Sequence, residues 1–128
     1  MPPFLTQGWL DAHTAAGAEL PVRAGVTARL QMVVTGSPSG EVSYVQTIED
    51  GRVVAGELGR SDEVDLTLTY PAAEAAAIAK GELDLSAAFM QGKAKLVGDV
   101  GSLMAVMPLV QSMEYREVLA AVAEQTEF

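Results

Sequence analysis

Residues 26–34 set Val26, Ala28, Leu30, Met32 and Val34 on one side of an extended chain and Thr27, Arg29, Gln31 and Val33 on the other. Alternation with period two predicts a strand with one buried face. Ser37-Pro38-Ser39-Gly40 supplies a turn, and a second strand follows with Val42, Tyr44, Gln46 and Ile48 on one side. Asp50-Gly51 is a two-residue hairpin signal, because a type I′ loop needs positive φ at both positions, so a third strand starts near Arg52. Gly56, Gly59, Ser61 and Asp62 predict a loop, after which Val64, Leu66 and Leu68 alternate with Asp65, Thr67 and Thr69 as a fourth strand. Three hairpin-like connections imply a largely antiparallel sheet that needs one face covered.

Helical spacing flanks this block. Leu5, Trp9, Ala12 and Ala16 recur at four, three and four residues, which predicts an amphipathic helix over Phe4 to Ala16, stopped by Gly17 and Pro21. His13 lies beside that stripe and is expected at the surface. On the far side, Pro71 suits the first position of a helix over Ala72 to Lys80, and Gly81 terminates it. Asp84 or Ser86 can cap a short helix carrying Phe89 and Met90, which Gly92 ends before a fifth strand at about Lys93 to Val97. There Lys93 and Lys95 point outward, and Ala94 and Leu96 inward. Val100 to Met113 is apolar on nearly every side, which means deep burial or a helix over a cavity. Tyr115, Val118, Leu119 and Val122 then mark a C-terminal helix. The pattern is α+β, with five strands in a mostly antiparallel sheet that needs one face covered.

Composition narrows the chemistry. The 128 residues make one domain, 1–128, long enough to bury about two thirds of its unfolded surface. With no Cys and His13 as the one imidazole, disulfides, thiolate catalysis and His-rich or Cys-based metal sites are excluded. No cofactor and no metal are expected. A net charge of −9 with eight Lys and Arg opposes nucleic acid as a partner and opposes tight docking on anionic bilayers. No apolar run approaches the roughly 18 residues that span a bilayer, and no leader opens the chain, so a cytoplasmic protein without stable membrane insertion is expected. Gln91-Gly92-Lys93 fails as a phosphate loop, because Ala87 stands where the first glycine belongs. Pro38 occupies the centre of Gly36-Ser37-Pro38-Ser39-Gly40 where a nucleophilic serine would stand, and Thr67 takes the glycine place of a calcium loop begun at Asp62. No residue set for catalysis emerges.

The segment Ala88-Phe89-Met90-Gln91-Gly92-Lys93-Ala94-Lys95-Leu96-Val97-Gly98-Asp99, followed by its Met-rich apolar helix, resembles the signature of the sterol carrier protein 2 family, A-F-x-x-G-K-L-K-x-x-G-D/N. The likeness extends in pattern from about Gly25 to Val110 and is specific from Leu66 to Leu109. Ala94 departs from the usual Leu and removes bulk from the inner face; Pro108 also departs, interrupting the final helix. The resemblance implies a five-stranded sheet with helices packed on one face, and a non-catalytic carrier, bacterial in type, with an apolar tunnel between sheet and helices for a fatty acid, acyl-CoA or sterol-like lipid. It implies Phe89, Leu96, Leu103, Met104 and Met107 as lining residues. Alternation alone adds Leu30, Met32, Ile48, Leu66 and Leu68. Substitutions Leu66→Arg and Met104→Glu are expected to abolish binding and leave the fold intact. The alternative is an accessory or homodimerisation module with a filled core and no ligand, its apolar segment buried as ordinary core or as a homodimer interface.

Overall fold

Ten elements succeed one another in the computed structural model, which describes every residue from Met1 to Phe128. They are α1 (Gln7–Gly17), β1 (Ala28–Ser37), β2 (Gly40–Glu49), β3 (Arg52–Leu58), β4 (Leu66–Pro71), α2 (Ala72–Ala79), α3 (Leu85–Met90), β5 (Lys95–Gly98), α4 (Val100–Val110) and α5 (Met113–Glu124). The strands form one sheet in the order β3-β2-β1-β4-β5. Asp50 and Gly51 take φ of 49° and 80°, as a type I′ turn demands, and join β2 to β3.

The third connection is not a hairpin. β4 pairs with β1 in parallel, Leu30 opposite Leu66 and Met32 opposite Leu68, while the other three pairings are antiparallel. Leu58 ends β3 level with Tyr44 and hence with Met32, and β4 begins level with Leu30, so residues 59–65 cross the outer face at the height of Gln31. The Gln31 amide holds that crossing: Nε2 donates to Tyr44 O and Gly59 O, each at 3.0 Å, and Oε1 accepts from Ser61 N at 2.9 Å. Gln31 and Val33, expected toward solvent, are therefore 2% and 4% exposed. Alternation distinguishes two faces of a strand but is silent on whether a distant segment covers the second one. Asp65 completes the return, its amide donating to Arg29 O and its carboxylate accepting from Arg29 N.

Helix α1 starts three residues later than its apolar spacing suggests, because Leu5 adopts φ 63° and Thr6 caps the helix through its hydroxyl. It buries Trp9, Leu10, His13 and Gly17, one step round from the predicted stripe. Close approach to β3 sets this angle: a Cβ on Gly17 would stand 2.6 Å from Val53 Cβ, and one on Gly56 would stand 3.3 Å from Leu10 Cβ. Gly56 is accordingly a strand residue that makes room for the helix, not part of a loop. The helix rotation also carries His13, expected at the surface, to 3% exposure.

Pro71 closes β4 and stands at the N-cap of α2, and Gly81, at φ 77°, ends the turn after it. Asp84 caps α3 by accepting from Ser86 N, and Gly92 follows α3 at φ 74°. The long apolar run divides in two, because Ser112 accepts from Tyr115 N to open α5 while its hydroxyl donates to Leu109 O. Pro108 sits inside α4 and lacks the amide that would bond the Met104 carbonyl, a loss tolerated where Met104 is 67% exposed. The inner face of the sheet, from Ala28, Leu30 and Met32 across to Leu66, Leu68 and Tyr70, belongs to one core cluster with the helices.

Candidate ligand-binding site

Under α3 and α4 the sheet presents Leu30, Leu66, Leu68 and Leu96 in two adjoining rows, since Leu30 pairs with Leu66 and Leu68 with Leu96. Phe89 from α3 and Leu103 and Met107 from α4 close over these four, and the seven side chains line one apolar slot. Leu85, Ser86, Val106 and Val110 complete its wall. Two of these were readable, because Val106 and Val110 continue the i, i+3, i+4, i+7 stripe from Leu103. Leu85 and Ser86 carried no such signal. The free space inside is about 30 Å³, room for roughly one water in a lining that offers it almost no partner.

Three of the expected lining residues lie elsewhere. Ile48 is sealed in the core at the far side of the sheet, and Met32 lines a neighbouring cavity. Met104, a lining residue by resemblance, points away from the slot into solvent, off the stripe of Leu103, Val106, Met107 and Val110 by which α4 faces it. Leu66 is fully buried, so Leu66→Arg would place an unpaired charge in the core and unfold the chain, contrary to expectation.

The neighbouring cavity, about 40 Å³, has a different character. Trp9, His13, Tyr44, Gln46, Tyr70 and Tyr115, all with polar side-chain atoms, are among the residues that line it, with Met32 and Leu85 among its apolar walls. Trp9 packs edge-on against Phe4, His13 and Tyr44 at centroid distances of 4.9, 6.0 and 5.6 Å. Its Nε1 is buried with no hydrogen-bond partner. Gln46 Nε2 lies 3.3 Å from His13 Nδ1, and the Tyr44 and Tyr70 hydroxyls are 3.5 Å apart. Burial pulls the His13 pKa down to about 4 from the ordinary value near 6.5, and burial raises all three tyrosines, so every group there is uncharged at pH 7.

A larger groove of about 370 Å³ opens outside both cavities, between the turn after α2 and helix α5. Leu85 is common to all three spaces; Val110 joins groove to slot, and Ile78, Tyr115 and Leu119 join groove to aromatic cavity. No group of three or more His, Asp or Glu side chains is placed to hold a metal ion, and no helix is long and apolar enough to cross a membrane.

Sheet and helices together make the α+β fold seen in sterol carrier protein 2, whose crystal structure matches with TM-score 0.73 at 20% identity, covering 91% of this chain and 97% of that one. The chain belongs to the SCP-2 sterol transfer family, whose family model matches residues 10–111. A possible sterol carrier protein of Thermus thermophilus is similar over 95% of this chain and 91% of its own, with TM-score 0.68 and 18% identity. The palmitated SCP2L2 of Aedes aegypti is similar over 84% and 95%, with TM-score 0.63 and 21% identity. No curated protein matches the sequence.

Proposed function

We propose that this protein is a non-catalytic lipid carrier that shelters a fatty acyl, acyl-CoA or sterol-like chain against Leu30, Leu66, Leu68, Phe89, Leu96, Leu103 and Met107. The observation that carries the reading is the slot: side chains from three strands and two helices converge on a space whose wall is apolar except for Ser86. The mosquito relative described as palmitated adds support from a protein of the same fold. Shielding ten methylenes from water is worth about 8 kcal/mol before the cost of immobilising the chain. Against a bilayer the same transfer gains almost nothing, so loading and unloading stay nearly balanced.

The slot as it stands is too small for such a chain, so binding requires α3 and α4 to lift. Their packing suits that motion. α4 carries no charged residue yet buries only Val106 and Leu109, and α3 buries only Ser86 and Ala88. Displacement of a fluorescent fatty acid by natural lipids, with mass spectrometry of organic extracts of the purified protein, tests the reading. Micromolar displacement and a recovered lipid are expected; neither being found refutes it.

A second reading rests on the exposed apolar side chains Met90, Val97, Val100, Met104 and Met113, all between the end of α3 and the start of α5. A homodimer over these residues would leave the slot closed and empty. Sedimentation at micromolar concentration separates the two, since the carrier stays monomeric with lipid bound.

A further inference from the structure

We propose that the aromatic cavity is a subsite for the uncharged polar end of the lipid, a single hydroxyl or carbonyl, with the chain running past Leu85 into the slot. This rests on the carrier reading and specifies its ligand class and orientation. The first ground is an unmet donor. Trp9 Nε1–H is buried and unpartnered, which is costly in a folded interior and is cured by one acceptor. The second is the company it keeps: the Tyr44 and Tyr70 hydroxyls meet only at the 3.5 Å limit of a hydrogen bond, leaving both with capacity for a third oxygen.

Size and connection agree with that occupant. About 40 Å³ accommodates one small polar group and not a phosphate or nucleotide. The two spaces are neighbours across the sheet, because Gln46 of the cavity is the register partner of Leu30 of the slot, and Met32 of the cavity that of Leu68. Leu85 lines both and is the side chain that must swing for a chain to pass.

Charge selects against an ionised head. No Lys or Arg lines the cavity, and its histidine is neutral at pH 7, so a carboxylate would lose its water with no cation to replace it. A fatty alcohol or a hydroxylated sterol-like molecule meets Trp9 and the tyrosines without that cost.

Trp9 is the one tryptophan of the chain, which makes its emission a direct reporter. Hexadecanol brominated beside the hydroxyl is expected to quench Trp9 several-fold more than hexadecanol brominated at the far end. Hexadecanol is expected to displace a fluorescent probe at lower concentration than palmitate at pH 8. Tyr70→Phe and Tyr44→Phe are expected to weaken hexadecanol about tenfold, the upper worth of one neutral hydrogen bond, and to leave hexadecane unchanged. Equal quenching from both ends, or palmitate binding tighter than hexadecanol, overturns the subsite while leaving the carrier intact. Failure of every chain to bind overturns both, and the ligand-side comparison needs no variant to fold.

Discussion

The two ends of the sheet are covered by helices of opposite character. Over β2 and β3, α1 fits so closely that two glycines are needed for its passage, and it buries a Trp, a Leu and a His. Over β4 and β5, α3 and α4 are the more apolar by composition, yet they leave Met90, Val100 and Met104 in solvent and Phe89 partly so. Apolar content and burial thus run in opposite directions. Around Gly17 and Gly56 the first region interlocks with the sheet, and the second leaves greasy surface in solvent, as a cover parting from the sheet in the proposed carrier would require.

If that contrast is right, truncation in the tight region is the most damaging change. Ile48→Ala, at a side chain 1% exposed, is expected to cost about 3 kcal/mol through lost burial and a cavity that tight packing cannot close. Urea denaturation of the variant reads it directly. A cost below about 1 kcal/mol would mean that the α1 side is no better packed than the other.

Acid probes the same region. His13 titrates near 6.5 when unfolded and about 4 when folded, so between those values the unfolded chain binds more protons and stability falls as pH drops. About 2–3 kcal/mol is lost across that window and none further below it from this group. His13→Gln is expected to remove this part of the slope, seen by comparing denaturation midpoints of the two proteins from pH 7 to pH 4. An unchanged slope would show that the imidazole meets water and that the aromatic cavity is open.

These contrasts were unevenly legible in the chain. Local chemistry was plain: Asp50-Gly51, Gly81 and Gly92 each mark a positive-φ turn that few other residues would adopt. Alternation put Leu30, Leu66 and Leu68 inward, but Met32 and Ile48 equally, and could not say which of the five would face the slot. What could not be read was anything decided between distant segments. The parallel pairing of β1 with β4 depends on a crossing loop that Gln31 holds, and an isolated Gln inside an alternating strand looks solvent-facing. His13 became buried because Gly17 and Gly56 rotate α1 onto β3, a packing fact absent from the helix's own spacing. Met104 came from the resemblance and not from the helix's own spacing, and it lies one residue off the Leu103, Val106, Met107 and Val110 stripe that lines the slot.

The α4 cap tests how independently the loose region moves. Asp99 accepts from Gly101 N at 3.0 Å and from the Ser102 hydroxyl at 3.0 Å, so Asp99→Ala is expected to weaken the helix start by about 1 kcal/mol. If α3 and α4 open without global unfolding, the loss appears as faster hydrogen exchange confined to α4, with the amides of β1 unaffected. Equal acceleration in β1 would show one cooperative unit and remove the physical basis for a parting cover.

The smallest effect is expected at Met104, and it is the most discriminating. Met104→Glu places a charge where the side chain is already 67% exposed, so stability should change by less than about 0.5 kcal/mol. Because the residue faces away from the slot, affinity for a bound chain should hold within about twofold, where a wall residue such as Leu103→Glu would abolish it. Titration of a fluorescent fatty acid into both variants makes the comparison. Strong loss at Met104 would mean that α4 rolls as it lifts, bringing its outer methionine onto the ligand. The exposed apolar face would then be the second half of the binding wall, turned outward until a chain arrives.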